Sequence, residues 1–288
     1  MKVLLLGAGG QVGRAVAAAR KEAHELLTRT HAELDISSAS AVERCLESCA
    51  PAWVVNAAAY TAVDQAEKEP ERAYALNDAA VGTLARAAAT VGARLLHLST
   101  DFVFDGKSSH PYQPGDATHP LSVYGASKRA GEERALESGA RAIVLRTAWV
   151  YAAVGQNFAR TMLRLMSEKP EVRVVSDQVG TPTYAGGLGR VIWDLIEADV
   201  PAGILHWTDL GVASWYDFAV AIQEEAITRR LLQRAVPVQP ITTAEYQTAA
   251  RRPAYSVLDT RATRAYLAAP ARHWRENLRI MLDELRAA

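Results

Sequence analysis

Short apolar runs alternate with longer helical patterns through the first half of the chain. Lys2–Leu6, Glu25–Thr28, Trp53–Asn56, Arg94–Ser99 and Ala142–Thr147 read as strands, most of them near-continuous apolar runs of the kind buried on both faces. Between them, Gln11–Lys21, Ala39–Cys49, Glu71–Val91 and Ser122–Glu137 carry helical patterns, the second opened by Ser37, Ser38 or Ser40 as candidate caps. This alternation predicts an α/β protein with a doubly wound parallel sheet and helices on both faces. In such sheets ligands bind beyond the carboxyl ends of the strands, so the residues that follow each strand carry the functional information.

After Trp149 the rhythm changes. Helices are expected over Asn157–Ser167, Ala185–Glu197 and Trp215–Glu225, with a short strand at Val172–Val175 and a further segment at Gly203–Trp207. A proline-punctuated stretch then runs from Pro237 to Pro253. Residues 1–150 are therefore expected to form a dinucleotide-binding domain, with 171–200 returning to it. Residues 151–288 are expected to form mainly a smaller substrate-binding lobe over the strand ends. No internal repeat or low-complexity segment interrupts this plan.

The 288 residues carry 32 Lys and Arg against 32 Asp and Glu, with no basic run, which argues against a nucleic-acid grip. No stretch approaches the ~18 apolar residues of a membrane span, and the N-terminal apolar run is too short for a signal peptide. Cys45 and Cys49 sit four apart on an expected helix, a geometry that disfavours a disulfide. Two reduced thiols in a cytoplasmic protein is the reading they support. The oligomeric state stays open.

Gly7-Ala-Gly-Gly10-Gln-Val-Gly13 directly follows the first strand and opens a helix. Gly7 permits the tight turn, Gly10 lets the backbone approach a pyrophosphate, and Gly13 lets helix and strand pack closely. The helix N-terminus adds free N–H groups and a positive dipole end. This is a Rossmann-type cofactor turn in its proper context. After the second strand, where an NAD-preferring protein places an acid, stands Thr28-Arg29-Thr30. A guanidinium suits a 2′-phosphate, so NADPH is favoured, with NADH possible. Asp35, followed by Ile36, can accept a bond from the adenine amino group. Ala57, Ala58 and Ala59 leave room for a cofactor across the end of their strand.

Thr100 ends the Arg94 strand, and Tyr124 and Lys128 follow on the next helix, one turn apart on one face. A free tyrosine, with a pKa near ~10, is a poor acid–base group at neutral pH. A neighbouring ammonium and an oxidised nicotinamide stabilise the phenolate, so Tyr124 can protonate a carbonyl oxygen as hydride reaches its carbon. Thr100 would bond the same oxygen. Trp149, at a strand end, offers an aromatic face to a sugar or base.

Together these residues resemble the extended short-chain dehydrogenase/reductases and, within them, the dTDP-4-dehydrorhamnose reductase family. The resemblance also rests on Asn56–Glu67, Ser99–Gly106, Arg146–Tyr151, Asn157-Phe158, Asp177–Thr183 and Arg252–Ser256, and covers Met1 to about Leu258. It implies cofactor contacts by Gly10, Gln11, Val12, Asp35, Ile36, Ala59, Tyr60, Thr61, Tyr124 and Lys128. It implies contacts to a dTDP-deoxysugar by Val63, Thr100, Asp101 and Trp149. The implied chemistry is hydride delivery to the C4 carbonyl, with Tyr124 protonating the oxygen. Phe102 stands where the family usually has Tyr, Ala152-Ala153 replaces a usual glycine, and Glu245–Ala250 lacks common prolines. Some relatives dimerise through magnesium held by acidic residues. Ala15 stands at one such position, so no metal site is expected. Two alternatives remain at this stage: another nucleotide-sugar reductase or epimerase, and a regulatory protein similar to the beta subunit of methionine adenosyltransferase.

Overall fold

In the computed structural model, which describes residues 1–287, six parallel strands make the central sheet. They are β1 (Lys2–Leu6), β2 (Glu25–Arg29), β3 (Trp53–Asn56), β4 (Arg94–Thr100), β5 (Ala142–Thr147) and the strand Gly203–His206. Their spatial order is Gly203–His206, β5, β4, β3, β1, β2. The period of two in β-structure sorts their side chains onto two faces. Leu4, Leu6, Val54, Leu95 and Val144 join one buried cluster, under the helices Ala39–Cys49 and Ala80–Thr90. Val3, Leu5, Val55, Leu96, Ile143 and Leu145 join the other, under α1 (Gln11–Ala18) and the helix Ala185–Glu197. Apolar residues at both parities are thus explained by helices on both sides.

Most expected elements are present, with informative differences. α1 ends at Ala18 rather than Lys21. The charged Arg20-Lys21-Glu22 gives it no apolar face, and Lys21 instead pairs with Asp194 at 3.0 Å. Ser38 occupies the cap position of the Ala39–Cys49 helix, but its side chain makes no capping bond. The expected helix Glu71–Val91 is interrupted by a π-turn over Ala75–Ala79, centred on the buried Asn77. The expected strand Val172–Val175 pairs with Val238–Ile241, inside the proline-punctuated stretch, in a separate two-stranded sheet. The segment that joins the central sheet is Gly203–His206, paired with β5. A helix at Trp274–Ala287 lies beyond the sequence-derived elements. Its buried Trp274, Leu278, Met281 and Leu282 fall on one helical face and close the second lobe's core with Tyr151, Phe218 and Met166.

Several contacts fasten this lobe over the sheet's carboxyl end. Arg252 pairs with Asp64 at 2.8 Å, and Asp64 also accepts the Ala250 N–H at 3.0 Å. Gly106 packs so closely on Pro253-Ala254 that an added Cβ would lie 2.7 Å from that backbone. Cys45 and Cys49 are free thiols. Among the described residues no helix is long and apolar enough to cross a membrane.

Candidate active site

The glycine turn is built by backbone contact. Gly7 has φ +72°, and a Cβ there would lie 2.6 Å from the Ala57 carbonyl carbon. The Gly10 N–H donates to the Gly7 oxygen at 3.0 Å, closing the turn. A Cβ on Gly13 would lie 2.2 Å from that same oxygen, so only glycine lets α1 sit against β1. The turn opens onto a 430 Å³ cavity lined by Gly7, Gly9, Gly10, Ile36, Ala57, Ala58, Ala59, Tyr60 and Thr61. Its basic lining is His31 and Arg72. Arg29 is absent from the wall: its guanidinium bonds the Thr28 carbonyl at 2.8 Å and lies beside Cys45. Asp35 is exposed nearby. Its Oδ1 accepts the Ser37 N–H and O–H at 2.9 and 2.8 Å, which holds the carboxyl below its usual range. Val12 packs into the core, and Gln11 faces the second lobe, bonding the Gln156 carbonyl at 3.1 Å and Asn157 at 2.9 Å. Bare glycine and alanine backbone beside a helix N-terminus fits a dinucleotide pyrophosphate.

Tyr124 adjoins the Thr100 hydroxyl at the end of β4, and Lys128 follows one turn later on the same helix. The helix Val123–Glu137 starts at Ser122, whose hydroxyl accepts the Gly125 N–H at 3.2 Å. A Cβ on Gly125 would lie 2.2 Å from the Phe102 oxygen, so this glycine brings the helix onto the Thr100–Phe102 turn. The Phe102 ring then packs edge-on to Tyr124, with centroids 5.6 Å apart. Burial pushes the Tyr124 phenol up to about 12, while the adjoining Thr100 hydroxyl draws it down and Asp101 raises it. Lys128 is buried, and its Nζ donates to the Leu98 carbonyl at 2.6 Å. Burial lowers its pKa to about 8. The π-turn places Asn77 to bond the Tyr60 N–H and carbonyl at 2.9 and 3.0 Å, and the Ser127 hydroxyl at 3.1 Å. Asn77 thus ties the cofactor cavity to the Tyr124–Lys128 helix. One extra residue in a helical turn is a recurrent device at functional sites.

Of the residues expected on the substrate side, Asp101 adjoins this group. Asp101 is buried. Its Oδ1 faces the Thr100 hydroxyl at 3.1 Å, and its Oδ2 has no partner. Burial raises its pKa to about 6 despite the Ser256 and Thr100 hydroxyls. An unpaired buried carboxylate oxygen is costly unless a ligand supplies its donor. Trp149 adopts φ +48° and stacks on Trp215 with centroids 3.5 Å apart. Gly180 lies against its ring, where a Cβ would come within 2.7 Å, and the Trp149 carbonyl accepts the Thr183 N–H at 3.1 Å. The Asp177–Thr183 segment therefore shapes the Trp149 wall. Val63 begins a helical turn, Val63–Ala66, half-buried beside the Asp64–Arg252 pair.

Sequence reasoning missed Asn77, Ser127, Arg72, Trp215 and the buried Glu132–Arg146 pair. Arg146 grips Glu132 through two bonds, at 2.9 and 2.7 Å, fixing the Val123–Glu137 helix to β5. Gly125 and Gly131 are the signals that could have exposed these contacts. A Cβ on Gly131 would meet the Asn77 oxygen at 1.9 Å.

The family model described as the RmlD substrate binding domain matches residues 1–287. This chain belongs to that family. Among related members, the dTDP-4-dehydrorhamnose reductase of Aggregatibacter actinomycetemcomitans is 43% identical over 265 residues, 90% of each chain. The crystal structure of the Clostridium acetobutylicum dTDP-4-dehydrorhamnose reductase superposes with a TM-score of 0.93 at 37% identity, covering 99% of this chain and 100% of that one. The Bacillus anthracis dTDP-4-dehydrorhamnose reductase, solved in complex with NADP, superposes with a TM-score of 0.92 at 35% identity, covering 98% and 99%. The glycine turn, Tyr124 and Lys128 of this RmlD-family chain thus lie on a fold shared along almost its whole length with named reductases.

Proposed function

We propose that the protein is an NAD(P)H-dependent oxidoreductase that reduces the C4 keto group of dTDP-4-dehydro-L-rhamnose to dTDP-L-rhamnose. The observation that supports this reading is Tyr124 beside Thr100 at the end of β4, one turn before Lys128 on the helix that Asn77 links to the glycine-turn cavity. When bound, the reduced nicotinamide supplies the hydride. Gly7, Gly10 and the Ala57–Ala59 backbone would hold its nucleotide half, with Lys128 near its ribose. Thr100 orients the carbonyl oxygen, and Tyr124 donates the phenolic proton to that oxygen as negative charge develops. The Lys128 ammonium stabilises the phenolate that remains. Asp101 offers its unpaired oxygen to a sugar hydroxyl, and Trp149 and Val63 wall the sugar nucleotide.

Close agreement with named reductases over the full chain supports the choice of substrate. NADP bound to the Bacillus anthracis relative supports NADPH over NADH. The test is NADPH oxidation with synthetic dTDP-4-dehydro-L-rhamnose, compared with GDP- and UDP-linked 4-keto sugars. Turnover with the dTDP sugar at least tenfold above the others is the expected result. Preference for another nucleotide would reassign the substrate, and no oxidation with any of them would remove the enzymatic reading.

A further inference from the structure

Behind the catalytic helix, three buried side chains form a hydrogen-bonded chain with a defined direction. Asn56, at the end of β3, is fully buried, and its Oδ1 accepts the Ala58 N–H at 3.1 Å. A main-chain N–H only donates, so it fixes which end of the amide is oxygen. The Asn56 Nδ2 must then face His97, 3.1 Å from its Nδ1. Because Nδ2 donates, Nδ1 accepts, and the proton of the neutral, fully buried imidazole sits on Nε2. That N–H points at the Lys128 Nζ, 3.3 Å away.

We propose that Asn56 and His97 are positioning residues that hold the imidazole as its Nε2–H tautomer and so present an N–H, not a lone pair, to Lys128. An N–H aimed at an ammonium is repulsive, whereas aimed at the lone pair of a neutral amine it is a hydrogen bond. The pair therefore favours release of the Lys128 proton, in the same direction as burial. Opposing this is Glu132, one turn further along the helix, but its carboxylate is held by Arg146 from β5. The other titratable groups nearby are Tyr124, one turn before on the same helix, and Asp101, which acts on Tyr124 from the end of β4. His97 is kept neutral by burial and by Lys128 itself.

The arrangement makes Lys128 a group that exchanges its proton close to physiological pH. Its consequence for catalysis rests on the reductase reading, but its test does not. In the full-length protein, ¹⁵N shifts of His97 report the tautomer, and labelled lysine reports the titration of Lys128. The expected wild-type tautomer is Nε2–H. In Asn56→Asp, the carboxylate accepts both the Ala58 N–H and a His97 Nδ1–H, so the tautomer switches. The Lys128 midpoint then rises by about one pH unit or more, tenfold in proton affinity. Asn56→Ala removes the Nδ2 donor without adding charge, so that His97 can take the Nδ1–H form and accept from Lys128 through Nε2, and should raise the midpoint in the same sense. A wild-type Nδ1–H tautomer would overturn the proposal. So would a midpoint that moves only in Asn56→Asp, which would mark a bare charge effect. If Asn56→Asp does not fold, the wild-type tautomer and Asn56→Ala still decide. Absence of reductase activity with the tautomer as stated would sink the substrate reading and leave this one standing.

Discussion

The glycine-turn cavity and the polar cluster around the end of β4 are made of different material. The cavity is backbone: Gly7, Gly10 and Gly13 act by lacking side chains, and Ala57–Ala59 by having small ones. The cluster is a set of buried polar side chains, among them Thr100, Asp101, Lys128, Glu132 and Arg146, drawn from β4, the turn after it, the Val123–Glu137 helix and β5. A backbone site is rigid and needs only shape. A side-chain site depends on burial, which moves Tyr124 up to about 12 and Lys128 down to about 8, each away from its charged form. Binding should therefore be broken by adding atoms to the first region, and chemistry by removing single polar atoms from the second.

The sharpest separation comes from Tyr124→Phe, which deletes one oxygen and leaves the packing on Phe102 in place. Turnover should fall by on the order of 10²–10⁴-fold, the usual worth of a positioned acid. NADPH affinity by fluorescence titration should stay within about threefold, because the cavity wall is untouched. Near-normal rates would defeat the acid role.

The converse experiment is Gly13→Ala. A Cβ placed 2.2 Å from the Gly7 oxygen must push α1 off β1. Overpacking of this kind costs about 1–3 kcal/mol. NADPH binding should weaken by roughly ten- to a hundredfold, and Tm should drop. Residual turnover at saturating NADPH should fall far less than in Tyr124→Phe. Equal losses of kcat would show that the two regions are not separable.

The same contrast accounts for what could be read before the structure. Glycines at fixed spacing and the Tyr124–Lys128 turn are local patterns, and the strands of a doubly wound sheet are short, bounded apolar runs. Asn77, Glu132 and Trp215 are ordinary residues in sequence, and their contacts depend on chain brought from 50, 14 and 66 positions away. The π-turn escaped because adding one residue to a helical turn leaves the Glu71–Val91 pattern outwardly helical. The Trp274–Ala287 helix was legible, since Trp274, Leu278, Met281 and Leu282 recur at helical spacing; what the sequence does not give is the core that this stripe closes. Arg29 read as a phosphate ligand from its position after β2. The direction of its side chain, toward Thr28 and Cys45, is set by packing.

Asp101→Asn probes the cost of the buried polar cluster. In the fold this carboxyl keeps its proton up to about 6, above its ordinary range, so ionisation is penalised by the native state. Below the unfolded pKa near ~3.9 the group is neutral in both states and costs nothing. As pH rises through about 6, stability is lost. The asparagine variant should thus be more stable to unfolding than the wild type at pH 7–8, by at most about 3 kcal/mol, and converge with it near pH 4. KM for the sugar nucleotide should rise in the same variant, the pattern of stability exchanged for function. A variant that is less stable at pH 8 would show that Oδ2 is satisfied in the folded protein.

The smallest effect tests the rim of the cavity. His31 and Arg72 line it, whereas Arg29 bonds its own neighbour's carbonyl and lies over Cys45. If the 2′-phosphate of NADPH is met by the lining cations, Arg72→Ala should lower the NADPH-to-NADH ratio of kcat/KM by about three- to tenfold. That is the size of an exposed charge contact of ~1 kcal/mol. Arg29→Ala should change the ratio by less than about twofold, and the effect of Arg72→Ala should shrink with added salt as screening grows. A larger loss in Arg29→Ala than in Arg72→Ala would mean that Arg29 leaves Thr28 when the nucleotide binds. The cavity would then contain one mobile side chain in an otherwise backbone-built wall, and the contrast between the two regions would be one of degree.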